Sequence, residues 1–172
     1  MNIVDFLLLF LTAIGALLAA LFTWLSANAT KEAGRGAVVL NCLERYTAIM
    51  KDKRDARTQK NIQLTEEFYR ELFDLHWSEF HLWRESIIPD DMMLNWVYAE
   101  KRRYDTDKIE CTAGNGTTVL ITHKDQWATL LNNDYFEMTA SFVKFMNQIH
   151  SGNFVDIKVL RRAKNNFGNP RR

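Results

Sequence analysis

Phe6 to Leu25 reads FLLLFLTAIGALLAALFTWL, twenty residues without a charge or a proline, and it restricts the chain more than any other stretch. As a helix rising about 1.5 Å per residue it is about 30 Å long, the thickness of a bilayer's hydrocarbon core. The run therefore predicts a retained transmembrane helix. A secretory signal peptide is the competing reading, because Ala27-Asn28-Ala29 has the small-residue pattern of a cleavage site. Signal cores run to only about 7–15 residues behind a basic N-terminus, whereas here Asp5 precedes the run and no Lys or Arg does.

Basic residues near the run lie only after it, at Lys31, Arg35 and Arg45. Cytoplasmic flanks are the ones enriched in such residues, which predicts an inner (cytoplasmic) membrane protein whose C-terminal domain faces the cytosol. Within the run, Thr12, Ala16 and Ala20 fall four apart, beside a second pair, Gly15 and Ala19. Rows of small residues let two helices approach closely, so this face is the candidate for association into a homo-oligomer. The partners expected on this reading are the lipid bilayer, a second copy of the chain, and another protein.

The formal net charge of the 172 residues is +1, which excludes a strongly basic nucleic-acid binder. Signs are nevertheless segregated: Leu64 to Glu100 holds nine acidic residues against Arg70 and Arg84, a local balance of −7. The C-terminal residues Lys158, Arg161, Arg162 and Lys164 form the basic counterpart, a candidate contact for an anionic surface or ligand. Two cysteines, Cys42 and Cys111, make neither a disulfide framework nor a zinc spacing, so no metal set or cofactor is expected.

Periodicity after the run predicts a mainly α fold: an anchor over 1–27, a polar hinge over 28–36 weakened by Gly34 and Gly36, a helical domain over 37–166 and a basic tail over 167–172. A long helix is expected over Gln63 to Glu85, with Leu64, Phe68, Leu72, Leu75, Phe80, Leu82 and Trp83 on its inner half. Ile87-Ile88-Pro89-Asp90-Asp91 ends that helix and opens another, an aspartate serving as cap. Gly114-Asn115-Gly116 suits a tight turn in a short hairpin near 108–121. Thr122 with Asp125 looks like the cap of a further helix, and Tyr135, Met138, Phe142, Phe145, Met146 and Ile149 form an apolar stripe whose expected partner is the long helix.

His76 and Glu79 break the pattern of the long helix. They lie three apart on its apolar half and so face one another. A half-buried carboxylate beside an imidazole is the candidate catalytic pair, set against a structural hydrogen bond in the core. His81, five residues after His76, points about 140° away and cannot join it on a helix.

The turn from Trp83 to Asp90 and the following helix with Trp96 resemble an uncharacterised family of short bacterial single-pass membrane-anchored helical proteins. The likeness rests on Phe80 to Trp96 and implies fold, anchoring and a bacterial or phage source, with no functional residue. The expected function is non-enzymatic: partner binding or self-assembly at the membrane surface. The alternatives are a membrane effector or exclusion factor of the phage–host conflict type, whose assembling spans perturb the bilayer, and an enzyme using His76 and Glu79.

Overall fold

The computed structural model describes residues 3–133, 135 and 140–167, with side chains described from Leu17 onward. Among the described residues there are six helices and one two-stranded sheet, in the order α1 (Ile3–Gln59), α2 (Ile62–Arg84), α3 (Asp90–Thr106), β1 (Lys108–Thr112), β2 (Thr118–Thr122), α4 (His123–Asn132), α5 (Ala140–His150) and α6 (Ile157–Asn166). The chain divides into two units, Met1–Leu40 and Asn41–Arg172.

The first unit corrects the reading of the apolar run. No helix among the described residues is long and apolar enough to cross a membrane. The uninterrupted apolar run ends at Leu25, and the same helix carries on through Ser26, Asn28, Thr30, Lys31 and Glu32. The single-pass topology, the inner-membrane location and the cytosolic orientation expected from the sequence are overturned with it. The polar hinge is helical as well. Gly34 and Gly36 each cost a helix only about 1 kcal/mol relative to alanine, and residues such as Ala33, Lys31, Glu32 and Arg35 around them favour the helix, with an Arg35–Glu32 ion pair of 2.8 Å on its surface.

The second unit is built around α2. Asn61 caps it, its side chain accepting the Leu64 N–H at 3.1 Å, and Phe68, Tyr69, Leu72, Phe73, Leu75, Phe80 and Trp83 are buried along it. The stripe of α5 meets this row as expected: Phe145 lies 4.8 Å from Phe80 and stacks on Trp83 at 5.4 Å between centroids. Burying each such ring stabilises the fold by about 1.5–3 kcal/mol. Phe154 and Phe167 close over Phe145 from the C-terminal side.

The hairpin forms where the glycines predict it, with Ile109 opposite Ile121 and Cys111 opposite Val119. Gly116 takes φ +79° in its turn, the left-handed conformation that glycine adopts without a Cβ penalty. Both cysteines are buried and free. Thr122 caps α4 through the Asp125 N–H at 3.0 Å, as its spacing predicts. The cap of α3 differs from expectation. Pro89 holds that position without a side-chain bond, and the Asp90 carboxylate turns away to accept Trp83 Nε1–H at 2.9 Å.

Candidate functional site

α3 places Met93, Val97 and Glu100 at intervals of four and three, on one face of the helix. Met93 and Val97 are buried hydrophobics, and Glu100 is fully buried beside them. A carboxylate in such a place is tolerated only when its oxygens are fully matched by donors. Four N–H groups supply them. Oε1 accepts from His123 Nε2 at 2.6 Å and His150 Nε2 at 3.3 Å. Oε2 accepts from His76 Nε2 at 3.0 Å and Arg103 Nη1 at 3.3 Å.

Each donor is delivered by a different structural device. His76 comes from the middle of α2, Arg103 from one turn beyond Glu100, His123 from the first residue of α4 and His150 from the last residue of α5. The imidazoles are fixed by packing: His150 stacks on Tyr104 with centroids 3.7 Å apart, and His123 stands edge-on to Phe73 and Tyr69 at 4.8 and 5.4 Å. Three of the chain's four histidines thus converge on one carboxylate. His81 stays apart, against Trp77.

Burial alone would push the Glu100 carboxyl up; the neighbouring His123 and His76 outweigh it and hold the group well below the usual carboxylate range. For His76 burial pulls down, but Glu100 and Glu79 prevail and raise it. His150 goes the other way, burial dominating over its bond to Glu100, so its imidazole is held neutral more firmly than usual.

His76 Nδ1 meets two groups that make opposite demands. Trp96 Nε1–H points at it from 3.0 Å and needs a lone pair there, whereas Glu79 Oε2 lies 3.3 Å away and needs a proton. A neutral His76 satisfies Trp96, and a protonated one satisfies Glu79. The pair singled out in the sequence is therefore in contact, but His76 is buried with both ring nitrogens engaged. Glu79 is 14% exposed. Together with Tyr46, Met92, Met93, Trp96 and Arg103 it lines an open cleft of about 300 Å³, at the small end of the range for ligand sites.

Of the predicted basic surface, Arg161 and Lys164 pair with Asp90 at 2.7 and 3.4 Å, Lys164 half-buried and Arg161 exposed, and Lys158 and Arg162 are exposed as well. Ala19 and Ala20 of the predicted association face are exposed on α1; the side chains of Thr12, Gly15 and Ala16 lie outside the described residues. So do Met138 and the basic tail beyond Phe167. Sequence reasoning missed Glu100, His123 and His150. The signal was present in part: Glu100 shares the spacing of Met93 and Val97, and His150 follows Met146 by one helical turn. The atoms able to hold a metal are Glu100 Oε1 with one nitrogen each of His123 and His150, all within 4.8 Å of one another.

What the fold and this cluster define is a small, mainly helical domain organised on a buried carboxylate–imidazole network. Compared with protein-family models, curated proteins and solved structures, the chain matches none.

Proposed function

We propose that this is a non-enzymatic protein that acts by self-association, a second copy of the chain pairing with the N-terminal part of α1. The observation that carries this reading is the exposure of Leu17, Leu18, Leu21, Phe22, Trp24 and Leu25, each 48–72% open to solvent. At about 100° per residue they fall within an arc of about 160°. Ala19, Ala20, Thr23 and Ser26 take the rest of the circumference. A continuous band of large apolar side chains is rarely left uncovered.

A second copy suits this band for two reasons. Leu18, Leu21 and Leu25 recur at three and four residues, the spacing of a coiled-coil seam, with Leu17, Phe22 and Trp24 flanking it. The sequence continues the same register backward through Ile14, Leu11, Leu7 and Val4. The six exposed side chains offer on the order of 700 Å² per chain, close to the roughly 800 Å² per partner of a standard interface. A non-enzymatic role is supported by His76, whose two nitrogens are occupied within the fold.

Light scattering coupled to size exclusion on the full chain tests the reading. The wild type should run at a multiple of the chain mass, and Leu21→Glu should shift it toward the monomer. Ala19→Leu and Ala20→Leu, on the opposite arc, should leave the mass unchanged. A wild-type monomer at every concentration, or assembly that Ala19→Leu abolishes and Leu21→Glu spares, overturns it.

A further inference from the structure

The two oxygens of the Glu100 carboxylate meet different sets of partners. One carboxylate oxygen, Oε2, is held by His76 and Arg103, while the other faces the two remaining imidazoles. We propose that Glu100 Oε1, His123 Nε2 and His150 Nε2 bind a first-row transition dication of the zinc type, which braces α3, α4 and α5 from within.

The donor set carries the choice of ion. Two imidazole nitrogens and one carboxylate oxygen are a recurrent zinc-binding set, whereas magnesium and calcium require oxygen ligands. Donors about 2.1 Å from an ion subtend about 104° at the 3.3 Å separation of His150 from Oε1, near tetrahedral, and about 77° at the 2.6 Å separation of His123, which must draw back from Oε1 to coordinate. The three ligand atoms already lie within 4.8 Å of one another on side chains at most 5% exposed.

The surroundings have the form of an outer shell. Ligating carboxylates are themselves hydrogen-bonded; His76 and Arg103 hold Glu100 Oε2, and a metal at Oε1 takes the place of the two imidazole N–H groups that Oε1 accepts without it. Tyr104 against His150, and Phe73 and Tyr69 against His123, orient the two rings. Nδ1 of both histidines is buried without a partner. That orphaned atom is an acceptor when Nε2 keeps its proton and a donor when Nε2 binds a metal, so it weighs about equally on both states. The open cleft includes none of the three ligand residues in its lining.

Cobalt(II) is the probe, because its visible absorption reports coordination directly. The full chain, stripped with a chelator and dialysed, should bind about one Co²⁺ per chain with ligand-field bands in the visible, and Zn²⁺ should displace it and raise Tm. His150→Gln and His123→Gln should each weaken binding at least about 10- to 100-fold, while His81→Gln, outside the cluster, should bind as the wild type does. The wild-type measurement stands even where a ligand variant fails to fold. A stripped, folded wild type with no visible bands and a Tm unmoved by Zn²⁺ overturns the proposal, as does binding that His81→Gln abolishes.

Discussion

Asp90 sits in the first turn of α3, where a negative charge is favoured by the helix dipole, yet its carboxylate serves the far end of the chain. Burial pushes its carboxyl up, but Arg161, Trp83 and Lys164 together outweigh that and hold it below the ordinary value. A carboxyl depressed in the folded state stabilises the fold above its unfolded value, near pH 4, and that contribution is lost as the pH falls through the lower folded value. Asp90→Asn should therefore be less stable than the wild type at neutral pH and decline less steeply below about pH 4 in urea titrations. Single residues of this kind were only partly legible. The Thr122–Asp125 cap follows from local chemistry and could be read. Glu100 could not, because a charge on a buried face makes sense only once the distant histidines that answer it are in place.

At the scale of elements, the end of α1 is tied to the hairpin and α4 by Asp107. Its carboxylate, 6% exposed, accepts from Lys53 and from Arg57 Nη2 at 3.0 Å, and its carbonyl accepts the His123 N–H at 3.1 Å. Removing one partner of a buried pair leaves the other uncompensated. Asp107→Ala should cost about 3 kcal/mol in denaturant unfolding and raise hydrogen exchange across 108–122 relative to α2. On the α2–α5 contact, Phe145→Ala should cost about 3–5 kcal/mol by the same measurement, since Phe80, Trp83 and Phe154 cannot all close on the void. These elements were the legible part of the chain. The 3.6-residue stripes of α2 and α5 and the turn glycines of the hairpin are local patterns, and local patterns survive folding. The hinge at 28–36 was misread for a related reason: two glycines weaken a helix without ending one whose other residues favour it.

For the whole molecule, length was the misleading quantity. Twenty apolar residues in sequence match a bilayer, but the described helix carries its apolar face only as far as Leu25 before polar residues resume. Apolar character is shared by spans, cores and oligomer seams, and the sequence alone does not separate them. The Leu21→Glu measurement decides at this scale, since it disturbs the first unit and leaves every residue of the second untouched.

The Glu100 network also bears on the order in which the chain can become native. Its three histidine donors stand 24, 23 and 50 residues from the carboxylate, so α2 and α3 can meet early in synthesis, but the second oxygen stays unanswered until α4 and then α5 have emerged. Contacts this far apart in sequence are slow to close. A nascent chain halted before His150 holds Glu100 with Oε1 answered by His123 alone, and the fourth donor arrives only with the last residue of α5.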